Sequence, residues 1–178
     1  MKSIKLYWRK FYQNLKQGLT MVCMFPVNHV ALSVRDINRA IEFYKNVFGL
    51  ELISLYEIKA NEGHSGKVCS DLFPGFKSVK IAHLRSANGV GIELFEFEGA
   101  EKSVTEYWKT GIIHVSITVP DIEETLEKIE KFGGKIKSKV WGIYPGSGCR
   151  LVYTEDPDGN IIELNNKSYE ATHCNRQR

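Results

Sequence analysis

Asp156-Pro157-Asp158-Gly159-Asn160-Ile161-Ile162-Glu163-Leu164 is the stretch whose reading decides the fold. Pro157 and Gly159 mark a tight turn, and the residues after it have strand composition. Glu163 stands among Ile161, Ile162 and Leu164, so a carboxylate facing inward there needs a cation or a metal as its partner. The phrase occurs twice. Gly89-Val90-Gly91-Ile92-Glu93-Leu94 matches Gly159 to Leu164 at a constant offset of 70, with glycine, isoleucine, glutamate and leucine in the same places.

A second pair of segments completes the repeat. His114-Val115-Ser116-Ile117-Thr118-Val119-Pro120-Asp121-Ile122 lies over His29-Val30-Ala31-Leu32-Ser33-Val34-Arg35-Asp36-Ile37 at an offset of 85. Alternation predicts a strand over 27–34, with His29, Ala31 and Ser33 on one face and Val30, Leu32 and Val34 on the other. Asp36 is placed to cap a helix whose Ile37, Ala40, Ile41, Tyr44 and Val47 keep the 3.6 period, and Gly49 suits its exit. Asp121, Glu124, Ile122, Leu126, Ile129 and Gly133-Gly134 repeat that pattern. Further strands are expected at 50–56, 81–85 and 89–98, and at 135–141, 150–154 and 160–164. Each half thus reads strand, helix, strand, strand, strand, an α+β chain of two tandem βαβββ modules over 26–98 and 112–166, with a linker at 99–111. The two offsets differ by 15, and the extra residues are most economically placed in the first half, in the polar, glycine-punctuated segment 57–78. That segment reads as a long loop and a candidate lid carrying His64 and Lys67, while 167–178 reads as a flexible tail.

Composition excludes several classes. At 43% hydrophobic over 178 residues, the chain is able to bury an ordinary core. The net charge of +3 is misleading, because Lys2, Lys5, Arg9, Lys10 and Lys16 are unopposed before residue 26 and the remainder sums to −2. A nearly neutral body is no nucleic-acid surface. Residues 1–25 read as an accessory amphipathic helix, with Ile4, Tyr7, Trp8, Phe11, Tyr12, Leu15 and Leu19 at helical spacing, packed on the domain or on a second copy. Contact with an anionic membrane is the minor alternative, and no apolar run approaches the ~20 residues of a membrane span. Cys23, Cys69, Cys149 and Cys174 show no CxxC spacing, which favours reduced thiols and a cytoplasmic setting.

Each half contributes a histidine on its first strand and a glutamate on its last: His29, Glu93, His114 and Glu163. Packing asks for apolar residues at equivalent places in a repeat but gives no reason to repeat histidine and glutamate. Two imidazoles and two carboxylates form an ordinary ligand set for one divalent ion such as Zn, Ni, Mn or Fe(II), with coordination positions left for water or substrate.

With these residues in place, the chain resembles the vicinal-oxygen-chelate superfamily of glyoxalases, bleomycin resistance proteins and extradiol dioxygenases over about residues 27–165. The carriers are His29-Val-Ala-Leu-Ser-Val, Ala40-Ile-Glu-Phe-Tyr44, Phe48-Gly-Leu50, Ile92-Glu-Leu-Phe95, His114-Val and Asp156 to Leu164. The resemblance implies paired modules forming an open, cup-shaped mixed sheet around a divalent metal, with His29, Glu93, His114 and Glu163 as ligands and a substrate chelated through vicinal oxygens. Ser33 and Phe97 occupy positions where glyoxalase I has an arginine and an asparagine for glutathione, which points away from a glutathione substrate. Extradiol dioxygenases resemble the chain through His29, His114, Glu163 and Tyr153 but do not need Glu93, so Glu93 favours lyase or isomerase chemistry.

The expected activity is metal-assisted proton transfer on a small oxygen-chelating substrate, with Glu163 or Glu93 as the base. Arg150 and Tyr153 are expected to orient the substrate, and Ser116 and Thr118 to line the cup. The alternatives are an Fe(II) ring-cleaving dioxygenase and a non-catalytic, resistance-type binder of small molecules. A homodimer is expected, with the site completed within one chain or between two.

Overall fold

The computed structural model describes residues 26–101 and 108–173. The expected helix over 1–25, the middle of the linker (102–107) and the last residues of the tail lie outside that description.

The first half runs β1 (His29–Ser33), α1 (Ile37–Phe48), β2 (Glu51–Lys59), α2 (Gly63–Leu72), β3 (Ser78–Arg85) and β4 (Gly91–Phe97). The second runs β5 (Val115–Thr118), α3 (Ile122–Lys131), β6 (Lys135–Ile136), β7 (Trp141–Gly142), β8 (Arg150–Glu155), β9 (Ile161–Asn165) and α4 (Tyr169–His173). The expected single mixed sheet is two sheets, ordered β1-β4-β3-β2 and β5-β9-β8-β6, with β7 on β8. In both, the first strand, which begins at His29 or directly after His114, pairs parallel with the glutamate-bearing last strand, and the other pairings are antiparallel.

Local chemistry explains the helices. Asp36 and Asp121 are extended and accept from the N–H groups of Arg39 and Glu124 at 3.0 and 2.9 Å, satisfying donors the first turn leaves orphaned. Gly49, at φ 67°, ends α1 in a left-handed turn that returns its N–H to Lys45. Both helices bury one stripe against their own sheet and touch each other. One core results, running from Phe43, Leu84 and Leu94 to Ile129, Val152 and Leu164.

The Asp156 turn links the halves. Asp156 Oδ1 accepts from the backbone N–H groups of Asp158 and Asn160, at 2.9 and 2.8 Å, and Oδ2 from the Tyr44 hydroxyl and Asn160 Nδ2, at 3.0 and 2.8 Å. Arg35 and Arg39 converge on Asp158 Oδ1 at 3.0 and 2.8 Å, and Asn160 Nδ2 reaches the Ser33 carbonyl at 3.1 Å. Gly134 lies at the same seam. A Cβ there would stand 2.5 Å from the Glu155 carbonyl oxygen, 2.7 Å from Ile129 Cγ2 and 2.9 Å from the Phe43 ring. Gly134→Ala is therefore expected to cost about 1–3 kcal/mol through overpacking, read from the denaturant midpoint at unchanged slope.

Three expectations change. Segment 57–78 is not a loop: it holds the end of β2, the helix α2 and the start of β3. Its glycines concealed the helix, since Gly66 serves close approach, a Cβ there falling 2.3 Å from the Lys59 carbonyl oxygen. The strand expected over 135–141 survives only as its ends β6 and β7, because the N–H groups of Lys137 and Ser138 both turn to the Tyr153 carbonyl, a local bulge. The described part of the tail forms the short helix α4.

Candidate metal and proton-transfer site

With α1 and α3 covering one face of each sheet, the other face of β1 and β4 carries His29, Ala31, Ser33, Glu93, Phe95 and Phe97. Register places Glu93 beside Ala31 on β1 and His83 on β3, and Gly91 opposite His29. A Cβ on Gly91 would lie 3.1 Å from that of His29, so glycine leaves the imidazole its space. His29 Nε2 stands 3.4 Å from Glu93 Oε2, and His83 Nδ1 stands 3.0 Å from Glu93 Oε1. Behind His83, the Tyr56 hydroxyl is 2.8 Å from Nε2 and the two rings stack. Partial burial, then the Glu93 charge, raises the Tyr56 phenol above its ordinary range, so it keeps its proton.

The second sheet repeats the arrangement with different donors. His114 Nε2 is 3.7 Å from Glu163 Oε2, while Oε1 accepts from Asn165 Nδ2 at 2.5 Å and from the Ser116 hydroxyl at 3.3 Å. Tyr153 is the cross-strand neighbour of Glu163, its ring edge-on to His114 with centroids 5.4 Å apart. In both halves one carboxylate oxygen is held by a protein donor and the other faces an imidazole nitrogen.

The donor set fits a divalent ion. Separations of 3.4 and 3.7 Å are long for hydrogen bonds but close to the ~3 Å between neighbouring ligands that each sit ~2.1 Å from one metal. The pairs are only partly exposed, with Glu93 at 18% and Glu163 at 14%. His114 Nδ1 is buried without a hydrogen-bond partner among the described residues, so no protein group there dictates its tautomer. The four expected ligands do not come together in one place: among the described residues, no group of three or more His, Cys, Asp or Glu side chains is arranged to hold an ion. Each sheet carries one histidine–glutamate pair.

Other expected residues divide. Ser116 and Tyr153 lie with Glu163. Thr118, on the same strand face, is turned to the Lys167 carbonyl at 3.3 Å. Arg150 is not brought to this face: alternation along β8 sets it with the core residues Val152 and Thr154, where its guanidinium pairs with Glu123 of α3. An arginine committed to a helix carboxylate on the far side of the sheet does not orient a substrate beside Glu163. His64 and Lys67 lie exposed on α2. Sequence reasoning missed His83, Tyr56 and Asn165. The first and last were within reach: the offset of 70 carries Tyr153 onto His83, and Asn165 lies two residues beyond Glu163 on the same face.

Residues 27–164 match the family described as the Glyoxalase/Bleomycin resistance protein/Dioxygenase superfamily. The chain belongs to this superfamily. A probable lactoylglutathione lyase of Vibrio parahaemolyticus is 30% identical over 137 residues, covering 76% of this chain and 86% of that protein. Some curated relatives are much longer, and the chain spans 50% of one and 42% of another. Among solved structures, a glyoxalase family protein from Bacillus cereus superposes with a TM-score of 0.67 at 21% identity, over 83% of this chain and 96% of that one. A single-residue mutant of the fosfomycin resistance protein FosX from Listeria monocytogenes, in complex with Mn(II) and a dihydroxypropylphosphonic acid, superposes with a TM-score of 0.54 at 20% identity, over 85% and 95%. These likenesses establish the α+β fold of the superfamily. Among the described residues no helix is long and apolar enough to cross a membrane.

Proposed function

We propose that this superfamily member is a divalent-metal-dependent lyase or isomerase of the glyoxalase type, acting by proton transfer on a small substrate that chelates the ion through two oxygens. One observation carries the reading: two histidine–glutamate pairs occupy equivalent strand positions, and each carboxylate keeps one oxygen toward its imidazole. His29, Glu93, His114 and Glu163 would hold the ion. When bound, it would stabilise negative charge developing on a substrate carbonyl oxygen, which acidifies the neighbouring C–H. Glu163 or Glu93 accepts that proton and returns it to the adjacent carbon. Tyr153 and Ser116 border the Glu163 carboxylate and orient the substrate. Relatives named lactoylglutathione lyase and the Mn(II) complex of FosX favour this chemistry. Phe97, packed with Phe73, the residue that caps α2, at 5.2 Å and with Phe95 at 5.8 Å, favours an apolar substrate body over the polar tail of glutathione.

The two half-sites meet, on this reading, across a homodimer in the cytoplasm, where His29 and Glu93 of one copy face His114 and Glu163 of its partner and the two faces close into a cup. Val27, Ile112 and Ile113, exposed beside the histidine-bearing strands, supply apolar surface for that contact.

Elemental analysis of protein purified without chelator is expected to find one divalent ion per chain, lost from His29→Ala. Retention of stoichiometric metal by that variant would remove His29 from the ligand set. Mixing and re-equilibrating His29→Ala with His114→Ala separates the two assemblies: random exchange restores about a quarter of the sites if each is shared between copies, and none if each lies within one chain. Bound iron, with oxygen uptake on a catechol, would replace the lyase reading by the dioxygenase one.

A further inference from the structure

Glu93 has only one oxygen free for a metal, because the other is engaged by a histidine that is not one of the repeated pair. We propose that His83, backed by Tyr56, is the positioning residue that sets the Glu93 carboxylate for its ligand role; this rests on the metal reading above.

His83 Nδ1 stands at ion-pair distance, 3.0 Å, from Glu93 Oε1, and because a carboxylate only accepts hydrogen bonds the ring proton is assigned to Nδ1. In the neutral ring Nε2 is then an acceptor, and the Tyr56 hydroxyl at 2.8 Å donates to it. The order Tyr56 O–H to His83 Nε2, then His83 Nδ1–H to Glu93 Oε1, spans β2, β3 and β4 and leaves every donor facing an acceptor. Stacking of the two rings, with centroids 5.6 Å apart and planes 29° apart, fixes the imidazole about its Cβ–Cγ bond. With Oε1 held, Oε2 is left on the His29 side, 3.4 Å from Nε2.

His83 is not a packing residue. Its side chain is 30% exposed, and Tyr56 is 43% exposed. The second sheet reaches the same end by other means: Tyr153 occupies the place of His83, and Asn165 with Ser116 restrains Oε1 of Glu163. Ligand orientation through such outer hydrogen bonds commonly contributes 10–100-fold to metal affinity.

Metal-free protein titrated with Co(II), followed by its visible absorption, tests the assignment alongside Glu93→Ala, His83→Phe, His83→Asn and Tyr56→Phe. Glu93→Ala is expected to abolish the ordered spectrum. His83→Phe keeps a ring but no donor, and should weaken Co(II) binding by about 10–100-fold and shift the bands. His83→Asn places an amide N–H where Nδ1–H stood and should recover most of that loss, whereas Tyr56→Phe should show a smaller loss of the same kind. Wild-type Co(II) affinity and spectrum in His83→Phe, with Glu93→Ala defective, would overturn the positioning role and leave the ligand assignment standing. Unaltered Co(II) binding in Glu93→Ala would overturn both. A readout without metal is the nitrogen-15 spectrum of the apo protein in alkaline buffer, where a proton found on Nε2 of His83 would refute the order of donors and acceptors.

Discussion

Glu163→Gln is expected to lower turnover by about 10²–10⁴-fold while leaving the fold intact, the range that a positioned proton-transfer group supplies. The substitution preserves length and volume, and the glutamine oxygen can still accept from Asn165 and Ser116, which now hold Oε1. What disappears is the negative charge and the basic oxygen turned toward His114. Loss of charge also leaves an ion at this position short of one anionic ligand, so metal content and turnover should fall together. The measurement is exchange of the substrate α-proton with deuterated solvent, alongside product formation, over a panel of hemithioacetals and α-hydroxy ketones, with circular dichroism as the folding control. A variant within a few-fold of wild type on a substrate the wild-type protein turns over would remove Glu163 from the chemistry.

Asp156→Ala is expected to be the most destabilising single change, at about 3–5 kcal/mol, lowering the melting temperature on the order of 10 °C. Asp156 is 2% exposed and accepts four hydrogen bonds. Alanine strands the buried Tyr44 hydroxyl and Asp158 N–H and leaves the part-buried Asn160 N–H without its acceptor. The same residue sets a pH dependence. Burial raises its carboxyl above the ordinary 3.8, and the hydrogen bonds from Asn160, Tyr44 and Asp158 only partly oppose this. A carboxyl raised in the folded state contributes stability that is fully present below the unfolded value and is lost as pH rises through the folded one. Denaturation from acid to neutral pH should show that decline, and Asp156→Asn, which cannot ionise, should flatten it. Tyr44 does not share the titration, since burial and then the Asp156 charge hold its phenol well above its usual value.

The repeat located both halves, and His29, Glu93, Ser116 and Glu163 fall on the strand faces that alternation assigns them. The caps at Asp36, Gly49 and Asp121 are also as read. Helix α2 was illegible because Gly66, inside it, serves contact with Lys59 rather than chain reversal. Arg150 was misassigned for a related reason: its charge suits a substrate as well as it suits Glu123, and only the packing of α3 chooses between them.

By itself the sequence determined the repeat, the histidine and glutamate candidates within it and which face of each strand they occupy, because those follow from spacings of two and of three to four along the chain. Only the tertiary structure decided what holds each carboxylate, His83 for Glu93 and Asn165 with Ser116 for Glu163, and that the two pairs stand on separate sheets. Those outcomes depend on register between strands and on how α1 meets α3, and such contacts join residues whose distance along the chain leaves no periodic mark.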